Sequence, residues 1–149
     1  MLLIPPPLYG AVTLLAMWLL KKYYPLQCTG TTWPVKAGIA IVISGLLIEL
    51  FAVLSFRRAQ TTINPLRPDN TTALVTDGIY ALSRNPMYLG MVFILTGAAL
   101  IMRCLSPTIM PLVFCLVVTA MQIIPEERSL LKNFGTDYDN YKSSVGRWF

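Results

Sequence analysis

Histidine is absent from this 149-residue chain. That absence removes the usual general base near neutral pH and the commonest metal ligand, so any chemistry here must proceed without both, and no metal site is expected. Charge is scarce as well: 13% of the residues are charged, against roughly 25% in an ordinary soluble domain. Three cysteines, Cys28, Cys104 and Cys115, are odd in number and nowhere spaced Cys-x-x-Cys, which suggests neither a disulfide framework nor a zinc site. The net charge of +5 comes without a basic stripe interleaved with aromatics, the footprint of a nucleic-acid surface. No nucleic-acid partner is expected.

Apolar residues fill the space that charge leaves, at 55% of the chain. A protein this small cannot hide so much apolar surface in a core of its own, whereas a bilayer supplies apolar solvent. Four apolar stretches stand out, at about 5–20, 35–56, 87–102 and 107–124. A bilayer asks for ~20 residues per helix, with a range of ~17–25, so the last two lie at the short end. The first stretch follows Pro5, Pro6 and Pro7, which suit a helix start. Lys21 and Lys22 follow it instead of preceding it, unlike the order in a cleaved signal peptide, so it reads as a retained helix. The expected fold is all-α: a single polytopic membrane domain over 1–149, with about four transmembrane helices.

Basic residues orient it. Arg57, Arg58, Arg67, Arg84, Arg128, Lys132, Lys142 and Arg147 fall on one side of this topology, and Lys21, Lys22, Lys36 and Arg103 on the other. Positive charge favours the cytoplasmic side, which places both termini and the segments 57–86 and 125–149 in the cytoplasm and the Asn70-Thr71-Thr72 sequon out of reach of glycosylation. In the tail, Leu130, Leu131 and Phe134 at helical spacing predict a short helix over 126–134 that Gly135 stops. A second helix is expected after it, capped by Thr136 or Asp137, with Tyr138, Tyr141 and Val145 on one face.

The two polar segments thus share one face, and both carry groups suited to a site. Ahead of the third span the chain reads Arg84-Asn85-Pro86-Met87-Tyr88: Asn85 suits an N-cap and Pro86 the first turn. An Arg beside free helix N–H groups makes an anion clamp or, equally, a snorkelling helix-start residue. After the fourth span, Pro125-Glu126-Glu127 places two acids at a helix start, where the macrodipole favours them. Either could instead accept bonds from hydroxyls or an ammonium group, and neighbours on a helix diverge, so at most one is expected in a pocket. Glu49 is the single charge within the second stretch, and an intramembrane acid is either a functional group or the partner of a neighbouring helix.

Taken in order, these segments resemble the isoprenylcysteine carboxyl methyltransferase-like family of membrane methyltransferases, to which phospholipid methyltransferases are related. The resemblance rests on Leu74-Val75-Thr76-x-Gly78-x-Tyr80, Arg84-Asn85-Pro86-x-Tyr88-x-Gly90, Glu126-Glu127-x-x-Leu130, Phe134-Gly135, Tyr138, Tyr141 and Val145. It implies that the cytosolic loop and helical tail form a site for S-adenosyl-L-methionine. Matching cofactor positions are Thr72, Ala73, Leu74, Val75, Tyr80, Asn85, Pro86, Met87, Tyr88 and Glu126. Tyr80 and Tyr88 would wall the adenine or the sulfonium, Arg84 would meet the methionyl carboxylate, and Glu126 the ribose hydroxyls or ammonium. Arg84, Glu126 and Glu127 are the candidate catalytic residues.

Two positions depart from the family pattern. Asn85 stands where many members have His, so it can be neither base nor cation. Gln122 stands near where the carboxyl methyltransferases place an Arg that meets the substrate carboxylate; it is the candidate substrate contact. The expected partners are membrane lipids and a lipophilic or lipidated acceptor, whether carboxylate, thiol or amine. Two other readings compete: a membrane NADPH-dependent reductase of the sterol-reductase type, and a small four-helix multidrug-type transporter using Glu49.

Overall fold

The computed structural model describes residues 5–58 and 74–149. Among these residues the fold is all-helical. Helix α1 spans Pro6–Tyr23, α2 Trp33–Arg58 and α3 Pro86–Met102, with a 3₁₀ turn at Gly78–Ala81 just ahead of α3. Prolines sit in the first turn of α1 and α3, where their missing N–H would have no partner in any case. The four apolar stretches are all helical, the first three within a few residues of their expected bounds. Two of the helical runs, Trp33–Arg58 and Ser106–Phe134, are long and apolar enough to cross a membrane.

The second of these runs differs from the expected order of a fourth span, a break, and then a tail helix. It is continuous. A 3₁₀ turn at Ser106–Ile109 leads into α4, Met110–Val118, then a π-helical turn, Thr119–Ile123, and α5, Ile124–Phe134. Pro125, which lies between the expected fourth stretch and tail helix, is absorbed into the run. It cannot donate to the carbonyl four residues back, and the widened π turn immediately before it accommodates that missing bond without ending the helix. Gly135, at φ +51°, stops α5 as expected, and α6 follows over Thr136–Ser144. The expected Thr136 or Asp137 cap is not formed: Gly135 is the N-cap and no side chain bonds there.

Glycine sets how closely α2 and α3 pack. Built on Gly38, a Cβ would stand 2.6 Å from the Gly97 carbonyl oxygen, and built on Gly45, 2.7 Å from that of Gly90. The pairing runs antiparallel with seven residues, two turns, between contacts, so only hydrogen at these positions lets the backbones touch. Glu49 belongs to this seam, where its Cγ would lie 2.6 Å from a Cβ on Gly90. On the other side of α3, Met17, Tyr88, Leu95, Ala99, Phe114, Val118 and Ile123 form one buried cluster. The outward residues of α2, among them Ile39, Ile43, Leu46, Leu50 and Phe51, are exposed and apolar.

At the end remote from the Gly78–Ala81 turn, Cys28 and Cys104 form a disulfide, which the cysteine count did not suggest. The backbone brings them together: Thr29 N–H donates to Arg103 O and Leu105 N–H to Leu26 O, both at 2.9 Å. Arg103 turns the chain there at φ +58°. Cys115 remains a free thiol.

Candidate functional site

Four pieces of chain meet at the opposite end: the 3₁₀ turn Gly78–Ala81, the corner 83–86, the start of α5, and α6 with residues 145–149. Helix α3 opens with Pro86, and Leu89 N–H already bonds to Asn85 O. That leaves the Met87 and Tyr88 amides as the donors at its N-terminus. Tyr88 reaches across to α5, where its hydroxyl donates to Glu126 Oε1 at 2.7 Å. Tyr80, buried in the 3₁₀ turn, lies edge-on to Phe56 at 5.2 Å between ring centroids, and its carbonyl accepts a 2.6 Å bond from the Tyr141 hydroxyl.

Glu127 takes the other direction from its neighbour, as a 100° step along a helix requires. Arg147 grips it in a two-pronged fork, Nε to Oε1 at 2.9 Å and Nη2 to Oε2 at 2.8 Å. Arg84 Nη1 stands 3.0 Å from Oε1 and donates to the Tyr138 hydroxyl at 3.1 Å. The two acids therefore turn to different partners, Glu126 to Tyr88 and Glu127 to Arg147 and Arg84.

Their electrostatics differ accordingly. Both acids lie past Ile124, beyond the apolar part of the helix. Burial pushes the Glu126 carboxyl up to about 7, only partly offset by the Tyr88 hydrogen bond. Burial also acts on Glu127, but the fork from Arg147 and the charges of Arg84 and Arg147 hold it below the usual carboxylate range. Near neutral pH, Glu127 is a fixed anion and Glu126 can hold or release a proton.

Arg84 does more than pair. Its side chain is 8% exposed, and its buried Nε has no hydrogen-bond partner among the described residues. A buried, unsatisfied guanidinium N–H beside the free amides of a helix N-terminus suits a carboxylate. Tyr80 and Tyr88 place two buried aromatic rings near this corner, a residue type that suits an adenine or a sulfonium. The residues present thus fit the methionyl, adenine and sulfonium parts of the expected cofactor.

The remaining expected residues divide. Thr72 and Ala73 lie outside the described residues. Leu74 and Val75 form an irregular, half-buried lead-in to the 3₁₀ turn; neither they nor Met87 take part in the side-chain bonds described. Pro86 is fully buried, as is Gln122 within the π turn, one turn before Glu126. Asn85 is not the side-chain cap it was expected to be: its Nδ2 donates instead to the Arg147 carbonyl at 3.0 Å. Sequence reasoning missed Ser83, Arg147 and Trp148. The available signal was Glu127 itself, since a buried acid needs a cation, and Arg147 is a tail cation within reach.

Comparison with known proteins places the chain among membrane methyltransferases. Residues 33–137 match the family model described as phospholipid methyltransferase. Protein-S-isoprenylcysteine O-methyltransferase B of Arabidopsis thaliana is 30% identical over 116 residues, covering 76% of this chain and 57% of that protein. Methanethiol S-methyltransferase of Pseudomonas deceptionensis is 28% identical over 109 residues, 71% of this chain and 39% of that protein. The solved structure of the eukaryotic intramembrane Ras methyltransferase, isoprenylcysteine carboxyl methyltransferase, superposes with a TM-score of 0.73 at 21% identity. That superposition covers 96% of this chain and 51% of the other. The chain therefore spans about half the length of the proteins it matches, and shares the fold of the solved one.

Proposed function

Because the chain belongs to the phospholipid methyltransferase family, we propose that it transfers the methyl group of S-adenosyl-L-methionine to a lipophilic or membrane-delivered acceptor. The observation that carries this reading is the meeting of the Arg84–Tyr88 and Glu126–Glu127 motifs, joined by the Tyr88–Glu126 hydrogen bond, around a buried guanidinium N–H that the described residues leave unsatisfied. Bound there, the cofactor supplies an electrophilic methyl group on a sulfonium.

The chain's own part is to bind and align. Arg84 Nε and the Met87 and Tyr88 amides hold the carboxylate end, and the rings of Tyr80 and Tyr88 wall the adenine and sulfonium. Glu126 holds the ribose hydroxyls or the ammonium. In-line displacement needs positioning above all, and positioning alone supplies ~7–11 kcal/mol. A carboxylate acceptor is already ionised at neutral pH, so the lack of histidine is no obstacle to it. For an amine or thiol, Glu126 can take the proton. Thr72, Ala73, Leu74 and Val75 complete the cofactor set on the family resemblance, with Gln122 on the acceptor side.

In the proposed topology four helices cross the bilayer, with both termini and the site in the cytoplasm. The Cys28–Cys104 disulfide supports this orientation: it sits at the end away from the site, and disulfides persist on the oxidising side of a membrane. Glu49, packed against Gly90 in the α2–α3 seam, has a structural place that needs no transported cation. The test is methyl transfer by the detergent-purified protein from radiolabelled S-adenosylmethionine into lipid extracts, prenylcysteine analogues and small thiols. Label in none of them, together with no binding of S-adenosylhomocysteine at millimolar concentration, would sink the proposal.

A further inference from the structure

We propose that Asn85 is a positioning residue: by donating to the Arg147 carbonyl it ties the start of α3 to a C-terminal strap, residues 145–149, and so sets where the α3 N-terminus and Tyr88 stand in the cofactor site. The inference rests on the methyltransferase reading of that site.

The strap meets the corner residue by residue. Arg84 N–H donates to Gly146 O at 3.1 Å, and Asn85 Nδ2 to Arg147 O at 3.0 Å. The Ser83 hydroxyl donates to the same carbonyl at 3.5 Å and accepts from Asn85 N–H at 3.2 Å. Each of the three corner residues thus bonds to a strap carbonyl, at a place where the chain leaves the 3₁₀ turn and has not yet entered α3. Without the strap these donors would have no helical carbonyl to meet, and an unmade bond in a half-buried corner is costly.

The strap can act as a fixed reference because it is held twice more. The Arg147 side chain forks Glu127 on α5, and Trp148 packs against the cluster of Met17, Tyr88 and Phe114. One residue therefore faces two ways: the guanidinium of Arg147 is anchored to α5 while its carbonyl holds the corner ahead of α3. The two halves of the site, the α3 N-terminus and the α5 acids, are thereby brought to one spacing. The Tyr88–Glu126 hydrogen bond requires that spacing.

This accounts for the departure at position 85. The geometry asks that side chain for an N–H donor and nothing more. The amide of Asn supplies one, and so would the imidazole of a His placed there. Neither a base nor a cation is required. Asp, nearly the same shape, supplies no donor when ionised.

The test uses the full chain in detergent, with Asn85→Ala, Asn85→Asp and Asn85→His. Two quantities are read: calorimetric affinity for S-adenosylhomocysteine, and amide hydrogen exchange at Arg84, whose N–H lies on Gly146 O. Ala and Asp should each weaken binding about tenfold, the loss of one well-placed bond and of the alignment it holds, and should speed exchange at Arg84. The His variant should stay within about twofold of wild type in both readouts. A merely space-filling role would rank Asp with wild type and His apart from it, and that order would overturn the proposal. Should the Asn85 variants fail to fold, Arg147→Ala keeps the carbonyl but removes the strap's anchor on α5, and unchanged binding and exchange in it would overturn the proposal equally. If wild type itself binds no S-adenosylhomocysteine, the methyltransferase reading fails instead. The exchange arm then still decides the pairing, with unchanged exchange at Arg84 in the Asp variant counting against it.

Discussion

The Tyr88 hydroxyl and Glu126 Oε1, 38 residues apart in the chain, are joined by a 2.7 Å hydrogen bond. It links the first turn of α3 to the first turn of α5, where the two family motifs lie. Tyr88→Phe removes the donor but keeps the ring. It should weaken S-adenosylhomocysteine binding by about 1 kcal/mol, whereas Glu126→Ala should cost about 1.5–3 kcal/mol, as for hydrogen bonds to a charged group. Calorimetry showing both variants as tight as wild type would detach this pair from the cofactor.

The same carboxyl makes stability depend on pH. Its folded-state value is raised by burial to about 7, so its contribution is fully present below the ordinary carboxylate range and is lost as pH rises through 7. Relative to Glu126→Gln, which stays neutral, wild type should lose on the order of 2–3 kcal/mol between about pH 5 and pH 8. Thermal unfolding in detergent at intervals across that range measures it. A difference between the two proteins that does not change with pH would mean Glu126 ionises as an ordinary surface acid.

Helix contact through glycine predicts steep, local sensitivity. Gly45→Ala and Gly97→Ala, each placing a methyl within 3 Å of an opposing carbonyl, should destabilise by about 1–3 kcal/mol through overpacking. Gly30→Ala meets nothing within 4 Å and should be near neutral. Equal unfolding midpoints for all three would show that α2 and α3 do not pack at this distance.

Topology can be read from the thiols. In intact cells Cys28 and Cys104 should resist maleimide until an impermeant reductant is added outside. A cysteine placed at Asn140 should react only from the cytoplasmic side. Breaking the bridge, which closes a separation of 76 residues, should cost about 4 kcal/mol in the chain-entropy picture. Ready labelling of position 140 from outside would invert the orientation.

Part of the candidate site was legible in residue order: the Arg84–Tyr88 and Glu126–Glu127 segments stand out at helix starts, where local physics left a structural and a functional role both open, and Tyr80 entered only through the family resemblance. The structure brings the two segments together through the Tyr88–Glu126 and Arg84–Glu127 contacts. Asn85 shows the limit. An Asn before a helix-start Pro reads as a cap on local grounds, because caps are local. The Arg147 carbonyl that takes its hydrogen bond lies 62 residues away, and no local rule points that far. Pro125 likewise reads as the start of a separate tail helix, since only the surrounding fold shows that a π turn carries the fourth span through it.

By itself, the sequence determined the medium and the elements. Too little charge and too much apolar surface require a bilayer, and apolar runs of near-spanning length there must be helical to satisfy their own backbone. Which helices touch, which acid meets which cation, and that Cys28 and Cys104 form a disulfide were left to the tertiary structure. These are relations between distant residues. They depend on the close approach that the glycines of α2 and α3 allow, and on a strap whose carbonyls carry no signature in the side chains that bear them.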